Sequence, residues 1–154
     1  MVFRSATFES GCLDMRATLQ LSLLLLAAGC NYKEPTYPVT GKVVFEDDGQ
    51  PAAAGVSVVF ESTKEPYPRA MGAIGPDGSF TLATDRPDNG AIQGEHRVCI
   101  QPTSADGSGM SQQARLSKEI DPKYFEFRTS GLKFDIKPSG KNEFVIKVER
   151  PKGS

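Results

Sequence analysis

The chain has 154 residues, 18 Lys and Arg against 19 Asp and Glu, a single His and no Trp. A net charge of −1 carries neither the basic footprint of a nucleic-acid binder nor a polybasic membrane patch. Its three cysteines are Cys12, Cys30 and Cys99.

Leu19 to Ala28 is the first element, an apolar run that ends Ala27-Ala28-Gly29-Cys30. It is about half the ~20 residues a helix needs to cross a bilayer, and fits the apolar region of an export signal. Arg16 supplies the positive charge ahead of it. Read from Met15, the segment MRATLQLSLLLLAAGC is a compact signal, so the start of translation is expected at Met15. The small residues before Cys30 resemble a bacterial lipoprotein signal, although Ala27 stands where leucine is commonest. That resemblance implies cleavage after Gly29 and acylation of Cys30, which becomes the new N-terminus. The alternative is an ordinary secretory signal cut nearby, with Cys30 left as a thiol. The expected domains are a signal at 1–29, a lipidated cysteine and tether at 30–38, a β domain at 39–150 and a tail at 151–154.

The tether NYKEPTYP is polar and carries two prolines, which reads as an extended spacer. With the first two cysteines assigned elsewhere, Cys99 has no disulfide partner, so the exported domain must rely on its core. Removing residues 1–29 leaves about one modal domain's length.

From Val39 the apolar residues alternate. Val39, Gly41, Val43 and Phe45 share one parity, as do Val56, Val58 and Phe60; Phe80 and Leu82; His96, Val98 and Ile100; Leu132, Phe134 and Ile136; and Phe144, Ile146 and Val148. Period two with one apolar face is the pattern of a half-buried strand. Arg69 to Gly75 is expected to add a seventh strand. Asp48-Gly49, Pro76-Asp77-Gly78, Asp88-Asn89-Gly90 and Pro138-Ser139-Gly140 supply turns. Short strands at regular spacing with Gly/Pro turns argue for an all-β fold. The expectation is a seven-stranded antiparallel Greek-key β-sandwich, transthyretin-like or Ig-like, after an N-terminal signal helix. No later segment shows a helical period. Thr103 to Ser130 lacks a strand pattern and is long for a loop. SADGSGMSQQ reads as mobile, Ile120 to Phe125 as packed back onto the sandwich, and the whole connection as the place for a functional surface.

Gly41-Lys-Val43, Gly49-Gln-Pro51 and Gly55-Val56-Ser-Val58, then Asp77-Gly78-Ser-Phe80-Thr-Leu82 and Gly94-Glu-His96-Arg-Val98-Cys-Ile100, resemble the blocks of carboxypeptidase regulatory-like domains, a transthyretin-like family. Ile120-Asp-Pro122-Lys-Tyr124 and Thr129-Ser130-Gly131-Leu132 resemble blocks of small lipoproteins of this type. The resemblance implies a sandwich and a binding, spacing or stabilising role, with no reaction. His96 stands where the family has Tyr.

Nucleophile, metal and phosphate-loop motifs are not found in the sequence. His96 lies on an apolar parity without partners for a triad or metal site, so it reads as a hydrogen-bonded residue at the rim of the core. The terminal Gly153-Ser154 resembles the ending of transthyretin-related hydroxyisourate hydrolases, but Pro151-Lys152 replaces their Tyr-Arg and a second histidine is missing. Asp47, Asp48, Asp77, Asp85, Asp88 and Asp106 fall near turns, which suits calcium and also plain tight turns; the spacing of a calcium loop is not present. Tyr32, Tyr37, Tyr67 and Tyr124 are scattered, so neither sugar nor calcium is supported.

The functional expectation is a non-enzymatic protein without cofactor, exported and lipid-anchored through Cys30 to the bacterial cell envelope, with the outer membrane or periplasmic face preferred. Its sandwich is expected to serve as a binding or structural module with a possible envelope protein partner. The alternatives are a transthyretin-related hydrolase and an accessory subunit of a larger envelope complex.

Overall fold

The structure is a computed structural model that describes residues 33–102 and 109–152. Among them the chain from Glu34 onward forms one compact unit. Its strands, in order, are β1 (Thr36–Tyr37), β2 (Val39–Phe45), β3 (Ser57–Ser62), β4 (Arg69–Ala73), β5 (Ser79–Thr81), β6 (Ala91–Ile92), β7 (Gly94–Gln101), β8 (Leu132–Ile136) and β9 (Asn142–Val148). Helix α1 (Gly109–Glu119) and a 3₁₀ turn (Pro122–Phe125) lie between β7 and β8. Among the described residues the fold is therefore mostly β with one α-helix. The seven strands of three residues or more stand where the alternating runs place them.

The strands form a three-stranded sheet ordered β5-β2-β9, a four-stranded sheet ordered β4-β3-β7-β8, and a β1-β6 pair. Val43, Phe45, Phe80, Ile146 and Val148 from the first sheet join Val58, Phe60, Val98, Ile100 and Ile136 from the second in one buried cluster. Burying each such side chain contributes roughly 1.5–3 kcal/mol before chain entropy is set against it. Gly41 opens the space at the centre of the first sheet. It pairs with Phe80 on one side and Phe144 on the other. A Cβ on Gly41 would stand 2.3 Å from the Phe144 carbonyl oxygen and 2.6 Å from Phe80 Cζ.

The structure differs from the sequence expectations in four places. First, β2 and β9 run parallel, so the sheets are not antiparallel throughout. Second, part of the expected tether belongs to the fold: Thr36–Tyr37 pairs with Ala91–Ile92, and Lys64 Nζ reaches Glu34 at 2.6 Å. Gly90 permits that pairing with φ +74, since a Cβ there would collide with the Tyr37 carbonyl.

Third, the 103–130 connection contains a helix. Ala114, Arg115, Leu116, Lys118 and Glu119 are good helix formers, and Leu116 and Ile120, one turn apart, both enter the core. The rest of that face is polar, so the period was too thin to read. The following stretch packs back as expected. Asp121 caps the 3₁₀ turn by accepting from Lys123 N at 3.0 Å, and Tyr124 and Phe125 are buried. Fourth, β3 is buried on both faces, so Ser57, Val59 and Glu61 do not form a solvated row.

Candidate functional site

Cys30, the expected lipid attachment site, lies outside the described residues, as do the signal segment and Tyr32. The other candidates can be placed.

His96 sits in the middle of the four-stranded sheet, in register with Ser62 on β3 and Phe134 on β8. It is 1% exposed. Its ring centroid is 6.3 Å from that of Phe60, and Nδ1 lies 2.9 Å from the Gly94 carbonyl oxygen. Burial pushes its pKa below the ordinary 6.5, partly opposed by the Gly94 carbonyl and by Asp135. A depressed histidine favours folding while it is neutral. The unfolded chain takes up the proton first, so that contribution falls away as pH drops below about 6.5. His96→Phe should remove this part of the acid sensitivity. Melting temperature against pH for the two proteins should diverge only on the acid side, and parallel curves would show that His96 is not the group responsible.

The acidic turn residues serve their own turns. Asp77 Oδ1 accepts from Ser79 N at 3.1 Å and from Ser79 Oγ at 2.6 Å, and these bonds lower its pKa. Asp48 accepts from Gln50 N at 2.9 Å, which with Arg150 holds its carboxyl below the usual range. Arg150 grips Asp47 and Asp48 together and lies 3.8 Å over the Phe45 ring, so it ties the chain after β9 to the turn after β2. Asp85 accepts from Asn89 Nδ2, and Asp88 adopts a left-handed turn conformation with φ 56. Asp106 lies outside the described residues. Among the described residues no group of three or more His, Cys, Asp or Glu side chains is placed to hold a metal ion.

The outer face of the four-stranded sheet carries a polar cluster built on Glu61. Glu61 on β3 is in register with Arg69 on β4 and Arg97 on β7. Its two carboxylate oxygens take one arginine each, both at 2.6 Å. The Phe127 ring lies 5.3 Å from Arg69 Cζ and 5.9 Å from Arg97 Cζ, and Ser130 Oγ donates to the Val98 carbonyl at 2.6 Å. The chain after the 3₁₀ turn therefore passes over this face. That cover explains why Val59 and Cys99, directly opposite each other, are buried. Burial pushes the Cys99 thiol up to about 12, so it is protonated and inert at neutral pH. Glu61 and Phe127 were not singled out from the sequence. The sequence shows only a charge alternating with valines on one strand; the register that brings arginines from both neighbours to it is set by the fold.

A groove of about 430 Å³ runs beside the start of β2 and the β8–β9 turn, lined by Tyr37, Thr40, Lys137, Lys141 and Glu143 among others. Tyr37 is its only aromatic. Tyr67 is half exposed and Tyr124 is buried, so the described tyrosines form no shared stacking platform. Comparison with family models, with curated proteins and with solved structures finds no match to this chain.

Proposed function

We propose that the chain is a non-enzymatic, lipid-anchored protein of the bacterial cell envelope. On this reading Cys30 is acylated, and the unit from Glu34 onward is a carboxypeptidase regulatory-like Greek-key sandwich used as a binding or structural module. The observation that carries the non-enzymatic half is His96. The chain's one histidine, where a transthyretin-related hydrolase would need two, lies in the core, hydrogen-bonded to Gly94 and packed against Phe60. A general base must reach the proton it removes, and a side chain 1% exposed does not meet substrate. The sandwich half draws support from the motif residues. Gly41 and Val43 lie in β2, Asp77 and Gly78 form the turn into β5, and Gly94 to Ile100 make up most of β7.

The anchor is tested by fractionation. The parent chain should sediment with membranes and resist a salt wash. Cys30→Ser should appear in the soluble fraction, because removing the acyl chains removes about 0.8 kcal/mol for every buried methylene. A Cys30→Ser protein that still sediments and resists salt would overturn the anchor.

A further inference from the structure

The free edge of β9 is a self-complementary docking surface, and we infer that two copies of the chain pair there as antiparallel strands about a two-fold axis at Val145. Among the described residues β9 is the last strand of its sheet, bonded only to β2. The side on which each backbone group points follows from two bonds. Val148 O accepts from Glu46 N on the β2 side. Glu149 O faces the other way and accepts from Asp121 N at 3.0 Å. Carbonyls alternate along an extended strand, so Glu143, Val145 and Lys147 aim their N–H and C=O groups at the open edge. Among the described residues, Asp121 is the first backbone partner met on that edge.

The side chains of the same three residues are exposed. At 58%, Val145 is the most exposed large apolar side chain among the described residues. Glu143 and Lys147 make no ion pair among the described residues, and their partners on β2 are Thr40 and Val44. A second copy completes all of this. With Val145 opposite Val145, Glu143 of each chain faces Lys147 of the other, and each of the three residues exchanges both backbone bonds with its partner. The register is specific. A slip of two residues sets Glu143 against Glu149 in one direction and Lys147 against Lys141 in the other, and like charges directly opposite are destabilising. The other edge strands are less suited: Met71 on β4 already exchanges backbone bonds with Ala83, Ser79 on β5 accepts from Gly75 N, and Lys133 on β8 reaches Glu95 at 3.3 Å within the sheet. An isologous contact of this kind closes at a dimer.

The test uses the full chain in detergent, as a mixture of isotopically labelled and unlabelled copies treated with a zero-length carbodiimide. Within one strand, Glu143 and Lys147 stand about 13 Å apart, too far for a direct amide. A Glu143–Lys147 cross-link joining a labelled to an unlabelled chain is expected. Glu143→Lys and Lys147→Glu should each weaken dimerisation, read by sedimentation, by about tenfold or more. The double exchange Glu143→Lys/Lys147→Glu should restore it. A chain that stays monomeric up to about 1 mM, a dimer indifferent to the single reversals, or cross-links only to an unrelated protein would each overturn the inference.

Discussion

Gly41→Ala should lower the unfolding free energy by about 3 kcal/mol, more than most single substitutions on this chain. In the middle of a strand an alanine ordinarily gains 0.5–1 kcal/mol over glycine by restricting the unfolded chain, roughly the reverse of what happens here. The added methyl meets the Phe144 carbonyl oxygen at 2.3 Å and the Phe80 ring at 2.6 Å. The carbonyl belongs to the pairing between β2 and β9, so it cannot move without breaking the ladder. The Phe80 ring is buried and close to Phe60. Thermal melts should show a loss of at least about 10 °C. Thr40→Ala, exposed on the same strand, should stay within about 0.5 kcal/mol of the parent. Equal melting points for the parent and Gly41→Ala would mean that the two phenylalanines do not close over Gly41.

Phe60→Ala should cost about 4 kcal/mol. The side chain is fully buried and is the hub of the aromatic group, with ring centroids 6.1 Å from Phe80, 5.8 Å from Phe134 and 6.3 Å from both Phe144 and His96. Truncation leaves a cavity that rings from both sheets border, and it removes several tilted and stacked contacts worth about 0.5–1.5 kcal/mol each. Phe134→Ala should cost roughly half as much, because Phe134 is only partly buried at the edge of the core. Denaturant unfolding of the two variants would check the order. A larger loss at Phe134 would place the centre of the core elsewhere.

Most strands were readable because one face of each is apolar and the other polar. Val39 to Phe45 and Asn142 to Val148 keep that alternation apart from Val44 and Val145 on the outward parity and Asn142 on the inward one. What alternation cannot carry is direction or pairing, which is why the parallel β2–β9 contact had no sequence signal. β3 and β7 misled in a different way. Val59 and Cys99 fall on the polar parity, yet both are buried, because Phe127 and Ser130 bring a distant segment over the second face of the sheet. The unbroken runs Ser57-Val-Val-Phe60 and Val98-Cys-Ile100 were the local trace of two-sided burial. Helix α1 escaped because, of its described side chains, Leu116 enters the core, joined by Ile120 just past its end, too few positions for a period of 3.6 to show. The strand at Thr36–Tyr37 was hidden behind two prolines that read as a spacer, although a proline can sit beside a strand of two residues.

The candidate site divides the same way. His96 was legible as a packed residue from its parity and its lack of partners, and the Asp-Gly turns as turns. The Glu61 cluster was not legible, since its three charges come together only when β4, β3 and β7 are set in register.

The lipid on Cys30 is the claim on which location and attachment both depend, and the intact mass of the protein purified from its own membranes tests it most directly. The account predicts a mature chain beginning at Cys30, heavier than its sequence by the mass of acyl chains on that residue. A chain beginning at another residue, or at an unmodified Cys30, would contradict it.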